Sequence, residues 1–267
     1  MLVAPGALAG PVSAQTPIQS LPPDADAAVK SGTVDFLTNG RFVLDAARFI
    51  GVGGDDRFSW DANVGGSVDV MAGSAWRVNV LVDLESVIGR EFRAIDPNQA
   101  NFTLEASAAA RVRGTDLRVA LHHTSRHLVD RPKRFPIDWN LVVVEAARVV
   151  ERGGLRVDAR VGVGKVIERS FVDYAWETTL DVLLRHRLDA RWSVIGSGSL
   201  RVLAIDSSAS SRSAQSGGGL EAGLQVTGRG AALQLFLAYA QRIDADPIAR
   251  DTRAFGFAGF RFLSRSR

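Results

Sequence analysis

Alternation constrains this chain more than any other feature. Between Arg57 and Val70, the residues Phe58, Trp60, Ala62, Val64, Val68 and Val70 share one parity, and Arg57, Ser59, Asp61, Asn63, Ser67 and Asp69 share the other. A period of two places such sets on opposite faces of an extended strand, one apolar and one wet. Trp76, Val78, Val80, Val82 and Leu84 repeat the pattern against Arg77, Asn79, Asp83 and Glu85. So do Phe102, Leu104, Ala106, Ala108, Ala110 and Val112 against Asn101, Thr103, Glu105, Ser107, Arg111 and Arg113. The same reading runs through residues 117–125, 138–150, 155–166, 174–188, 192–204, 220–226, 233–239 and 253–262. In 138–150 both parities are apolar apart from Asn140, Glu145 and Arg148. In 253–262, Phe255 and Phe257 stand out of phase with Phe260 and Phe262, which predicts a bulge.

The connections alternate as well. Tight joins fall at 72–73, 114–115, 153–154, 189–190 and 228–229, and longer polar segments lie at 89–100, 127–136, 167–173, 206–218 and 243–252. Outer-membrane barrels pair short periplasmic turns with longer outer loops, so the rhythm also gives direction. The strand ending at Met71 runs inward and needs an outward partner. Residues 34–46 alternate and fill that place, although the same stretch also reads as a periplasmic helix. The expectation is an all-β fold: an antiparallel transmembrane β-barrel of about twelve strands, with ten the nearest competitor and both termini in the periplasm. A lipocalin or sandwich also alternates, but with its apolar face inward and rarely with so many strands in one chain.

Composition agrees by its plainness. The 267 residues carry a net charge of +3 and are 46% hydrophobic, as expected where only the lipid side of each strand must be apolar. The longest uncharged stretch, residues 1–23, is broken by Pro5, Gly6, Gly10 and Pro11 and does not read as a spanning helix. Val12-Ser13-Ala14 before Gln15 reads as the cleavage site of a secretory signal lacking its basic start, the true start codon then lying upstream. Residues 1–30 are therefore expected to be a signal remnant and disordered tail, and residues 31–267 the barrel. The absence of cysteine is compatible with an oxidising periplasm. The positive charge is dispersed among strands with no basic helix or stacking motif, so nucleic acid is not an expected partner; outer-membrane lipids are.

Three of the four histidines fall in Leu121-His122-His123-Thr124-Ser125-Arg126-His127-Leu128-Val129-Asp130. Leu117, Val119 and Leu121 form the apolar set there, and His123 and Ser125 continue it, which puts both on the lipid side near the outer end of their strand. Residues two apart on a strand share a face at roughly 7 Å, so an imidazole can lean onto a neighbouring hydroxyl. A serine needs such a base to become a nucleophile, and the base needs an orienting group on its other nitrogen. Asn140 opens the adjacent strand from the same end and is a candidate for that group, its parity being open. Polar residues at a strand's outer rim cost only about 0–1 kcal/mol and commonly meet lipid headgroups without chemistry. The set His123, His127 and Asp130 lacks the fixed spacing of zinc motifs, and no metal is expected. His122 joins the lumen set with Arg118, and interfacial hydrogen bonding accounts for His186.

The wet parity also carries Arg77, Asp83, Glu85, Glu105, Arg111, Arg113, Arg118, Arg156, Asp158, Arg160, Glu177, Asp181 and Arg201. Mixed signs facing one lumen favour cross-strand ion pairs that fill it over a selective pore. Arg126, Arg131, Lys133 and Arg134 are candidates to meet anionic headgroups from a solvated loop.

His123-x-Ser125-x-His127-Leu128-x-Asp130, ahead of Asn140 and Glu145, resembles an uncharacterised family of bacterial outer-membrane barrels carrying His-x-Ser-Ser-His-Leu-Gly-Asp-Glu. Here Arg126, Val129 and Arg131 replace the second serine, the glycine and the glutamate. A shorter piece, His123-x-Ser125 followed by Trp139-Asn140, is similar to the active site of the outer-membrane phospholipase A family, which are twelve-stranded, calcium-dependent and active as dimers. The resemblance implies Ser125 as nucleophile, His123 as base and Asn140 as its orienter, with Arg126 standing where that family has asparagine. Outer-membrane lipid A deacylases also use a His-x-Ser pair. The leading expectation is an integral, non-porin barrel with a filled polar lumen. The alternatives are a lipid ester hydrolase and a small-solute channel. No cofactor is expected, with calcium entering only if the phospholipase resemblance holds.

Overall fold

The computed structural model describes residues 32–129 and 131–264; the expectations for residues 1–30 and for Asp130 lie outside them. Twelve strands follow in order: β1 (Asp35–Ile50), β2 (Trp60–Ala72), β3 (Trp76–Gly89), β4 (Asp96–Val112), β5 (Thr115–Leu128), β6 (Asp138–Arg152), β7 (Leu155–Ser170), β8 (Tyr174–Arg187), β9 (Trp192–Ile205), β10 (Gln215–Thr227), β11 (Ala231–Asp246) and β12 (Asp251–Ser264). Each pairs antiparallel with its sequence neighbours, and β1 pairs with β12 from Val43↔Leu263 to Ile50↔Gly256, closing the barrel. Closure leaves no unpaired edge, which a bilayer requires of any strand-built structure.

The tight joins are set by backbone chemistry. The β4–β5 and β6–β7 turns are two-residue turns, Arg113-Gly114 and Gly153-Gly154, with positive φ at both residues: 51° and 78°, then 58° and 81°. That is the mirror-type turn whose twist matches paired strands, and glycine is the residue that adopts it freely. Arg113, expected in the lumen, sits in that turn instead. The start of β1 and the end of β12 lie at this same turn end. The opposite end carries the longer loops, but two are shorter than the sequence implies. β7 continues to Ser170 and β11 to Asp246, leaving only residues 171–173 and 247–250 as loops. A strand of roughly 9–11 residues spans a bilayer, so strands of 13–17 residues are longer than the span needs.

Alternation translates directly into two faces. Leu117, Val119 and Leu121 of β5, Val142 and Val144 of β6, Val161 and Val163 of β7, and Leu235 and Leu237 of β11 all stand exposed on the exterior. Exposed Trp60 and Trp176 mark the loop end of this band and Trp76 and Trp192 the turn end, the pair of aromatic girdles that flanks a lipid-facing surface. In water such a surface would be an aggregation site; in lipid it is the solvent-matched face.

Charged side chains pair across the lumen. In its middle, Arg118 is bound to Glu105 and to Glu145 at 2.8 Å, His122 lies 3.1 Å from Glu105, and Arg160 lies 3.2 Å from Glu145. Arg201–Glu177 at 2.6 Å and Arg261–Glu221 at 2.9 Å repeat the device farther round the wall. Towards the loop end two apolar clusters take over: Phe49, Phe58, Val87, Phe255 and Phe257 on one side, and Ile137, Trp139, Leu141, Tyr174, Leu203 and Ile243 on the other. Two expectations are corrected here. Phe58 precedes β2 and packs inward against Phe49 and Phe255 at ring distances of 5.5 and 4.9 Å, so it is not on the lipid face. The pairing of β12 with β11 runs unbroken from Arg253 to Ser264, with no bulge between the phenylalanines. Phe255 and Phe257 simply fill the upper lumen while Phe260 and Phe262 face out near the turn end.

Above these clusters the end of β11 leans across the mouth. The Arg126 guanidinium on β5 donates to the Asp244 carbonyl at 2.7 Å, Gln99 on β4 donates to the Ala245 carbonyl at 2.9 Å, and Tyr174 on β8 donates to the Asp244 carboxylate at 2.6 Å. Arg212 holds Asp244 at 2.6 Å, while Arg57 and Arg131 hold Asp246 at 2.6 and 2.9 Å. Strands on opposite walls are thereby tied together.

Candidate functional site

The exterior of β5 and β6 at the loop end departs from the apolar band. β5 presents His123, Ser125 and His127 outward, while Thr124 and Arg126 between them are buried on the lumen side. In register, His123 stands between Leu104 of β4 and Asn140 of β6, and Ser125 between Phe102 and Asp138. The open question of Asn140 parity resolves outward. Trp139 and Leu141 are both buried in the lumen cluster, so Asn140 between them faces lipid beside His123.

His123 Nδ1 lies 2.8 Å from Asn140 Oδ1, and Asn140 Nδ2 donates to Glu168 Oε2 at 2.9 Å. Ser125 lies one step nearer the rim than His123. Its hydroxyl contacts not His123 but His127, whose Nε2 is 3.3 Å from Ser125 Oγ and whose ring packs edge-on against Phe102 at 5.3 Å. The three sequence candidates thus gather on one patch: His123 and Asn140 are bonded to each other, and Ser125 is on the same face but bonded to the second histidine. A single χ1 step between staggered wells separates a serine that faces one neighbour from one that faces the other.

Two participants were not legible beforehand. His127 read as a loop residue, whereas β5 continues to Leu128 and carries it. Glu168 had no signal at all. Along β7 the even residues Gly162 and Gly164 face inward and the odd ones outward. The β6–β7 pairing then shifts, with Asn140 opposite Glu168 but Leu141 opposite Val166. The extra residue, Ile167, reverses parity and turns Glu168 out to the lipid face; bulges beside functional sites commonly re-aim a side chain in this way.

Two lysines border the patch, alongside the carboxylates of Asp138 and Glu168. Lys133 in the β5–β6 loop donates to the Arg126 carbonyl at 2.7 Å, and burial holds its ammonium below the ordinary lysine value while Asp138 pulls the other way. Lys165 lies over the Trp176 ring at 5.7 Å on the exterior of β7. Chemically the patch offers a hydroxyl, two imidazoles, an amide bonded to one of them, and charged groups of both signs. Calcium takes six to eight oxygen ligands. Among the described residues no group of three or more carboxylates and histidines converges to supply them. No step below runs through a metal ion.

No family model matches this sequence, and no curated protein matches it. The fold, by contrast, has many solved counterparts. LpxR from Salmonella typhimurium superimposes with a TM-score of 0.50 at 9% identity, over 84% of this chain and 99% of that one. The outer membrane phospholipase A of Escherichia coli gives 0.51 at 10% identity, over 86% and 94%. The Salmonella typhi outer membrane phospholipase dimer with bound calcium gives 0.52 at 10%, over 85% and 91%. At these identities the likeness establishes the architecture, a closed twelve-stranded barrel of the outer-membrane type.

Proposed function

We propose that this chain is an integral, non-porin barrel of the bacterial outer membrane that hydrolyses acyl esters of outer-leaflet lipids at Ser125, its termini on the periplasmic side. The observation that carries the reading is the His123–Asn140 hydrogen bond of 2.8 Å on the lipid face, one residue pair from a serine at the same rim. An acceptor-only amide oxygen against Nδ1 leaves Nε2 unprotonated, the state a general base needs. A structural polar patch would need no such orientation.

In the mechanism, Ser125 turns from His127 to His123, and Oγ attacks the ester carbonyl as Nε2 takes its proton. The tetrahedral intermediate collapses, breaking the bond to the alcohol oxygen, which leaves with the proton from the imidazolium. Water, activated by the same nitrogen, then hydrolyses the acyl-serine to free fatty acid. Because the acyl chain arrives from the bilayer, the site belongs on the exterior, and the bridged lumen has no part in it. The bridged mouth also weighs against the small-solute channel. The solved neighbours that are phospholipases lend the reading an analogy of fold alone.

The test is acyl-chain release by refolded protein from mixed phospholipid and lipopolysaccharide micelles, with Ser125→Ala and His123→Ala beside the wild type. Release that is lost in both variants while each remains folded supports the reading. No release from the wild type on either lipid class removes it.

A further inference from the structure

We propose that Glu168 is a positioning residue that sets the tautomer of His123 through Asn140. For its catalytic consequence this rests on the hydrolase reading; for the tautomer itself it rests only on geometry. A side-chain amide has one accepting end and one donating end, and either can face a neighbouring imidazole. At Asn140 the choice is made on the far side. Glu168 Oε2 lies 2.9 Å from Nδ2, and a carboxylate can only accept, so the donating end is claimed. The accepting end is thereby aimed at His123, 2.8 Å from Nδ1. Nδ1 must then carry the ring proton, and Nε2 keeps its lone pair.

Remove Glu168 and the amide is free to turn. Asn140 would then donate to Nδ1, the ring proton would sit on Nε2, and the base would be lost. The carboxylate does a second thing: aligned through the amide, its negative charge favours the imidazolium that forms when Ser125 gives up its proton.

The fold has gone out of its way to provide this group. Glu168 reaches the lipid face only because the extra residue Ile167 reverses the parity of β7 opposite Asn140. A carboxylate on the lipid face of a barrel is unfavourable unless it lies near the interface. Here it meets the outward Asn140, and among the described residues it forms no ion pair with a lysine or arginine.

The experiment is ¹⁵N NMR of the histidine rings in the refolded, detergent-solubilised barrel, with His123 assigned by the loss of its signals in His123→Ala. It is run beside acyl-release kinetics for wild type, Glu168→Ala and Glu168→Gln, with heat-modifiable gel mobility as the folding control. In the wild type His123 should be the Nδ1–H tautomer; Glu168→Ala should move it to Nε2–H. Glu168→Gln, whose amide oxygen can still accept from Asn140, should largely restore the wild-type form. Where the wild type releases fatty acid, kcat in Glu168→Ala should fall at least about 10-fold with KM little changed, and Glu168→Gln should recover much of it. An unchanged tautomer in a folded Glu168→Ala overturns the proposal whatever the activity. A tautomer that switches in a protein with no acyl release upholds the positioning role and removes the hydrolase reading instead.

Discussion

Placing a charge at two exterior positions of β6 separates a lipid-facing wall from a merely exposed one. Val144 is 59% exposed and lies midway along the strand, in register with Val119 and Val163 on either side, all outward. Val150 is 50% exposed on the same face but near the Gly153-Gly154 turn. Fully burying a valine is worth about 1.5–3 kcal/mol, so the part of Val144 that faces lipid contributes about 1–2 kcal/mol. Exchanging it for a guanidinium at the bilayer midplane should bring the total cost to about 2–4 kcal/mol, against about 0–1 kcal/mol at the interface for Val150→Arg. If the exterior were in water, both substitutions would stay within about 0.5 kcal/mol of neutral. The assay is reversible denaturant unfolding of the barrel in phosphatidylcholine liposomes, followed by tryptophan fluorescence. Equal effects at the two positions would refute the placement of the bilayer on this wall.

Other consequences follow from particular contacts. His127→Ala should leave more activity than His123→Ala, because His127 holds the resting serine at 3.3 Å while His123 has the orienting amide; the reverse ranking in kcat would make His127 the base. At the long-loop end, Arg169 and then Ser208 hold the Asp206 carboxyl down at about 2, from an ordinary 3.8. Because the folded value is the lower one, the clasp contributes fully above pH 4 and is lost as pH falls towards 2. Cleavage within residues 206–214 by an acid-active protease should therefore rise between pH 4 and 2 in the wild type, with Arg169→Ala already susceptible at pH 4. In planar bilayers the wild type should give no sustained porin-size conductance. Arg212→Ala combined with Arg250→Ala, which strips Asp173 and Asp244 of loop partners, should produce transient openings; steady wild-type conductance would contradict a bridged mouth.

How much of this was legible follows from where alternation carries information. On β2 to β5 the wet and apolar parities differ, and the faces of those strands could be read from them; the count of twelve came from the alternation of tight and long joins, with residues 34–46 supplying the first strand. On β6 they do not differ. Trp139, Leu141 and Val143 fill an apolar upper lumen while Val142 and Val144 face lipid, so Asn140 had no readable side. The same apolar lumen explains Phe255 and Phe257, which looked like a register fault and are inward-facing residues in phase. The ends of β7 and β11 read as loops because beyond the bilayer a strand no longer needs an apolar face. Glu168 was hidden by a one-residue shift in pairing, which depends on the partner strand and leaves no local trace. Ser125 and His123 stood out because a hydroxyl and an imidazole at the lipid-facing parity are conspicuous against valine and leucine, whereas Asn140 was a candidate only because it opens the adjacent strand at the same end.

The most direct measurement of the central claim is covalent trapping of the nucleophile: refolded protein treated with a long-chain alkyl sulfonyl fluoride, digested, and mapped by mass spectrometry. One adduct is expected, on Ser125, formed at a rate that collapses in His123→Ala and is slowed in Asn140→Ala. No adduct on Ser125, or labelling of Ser125 that is indifferent to His123, would contradict it.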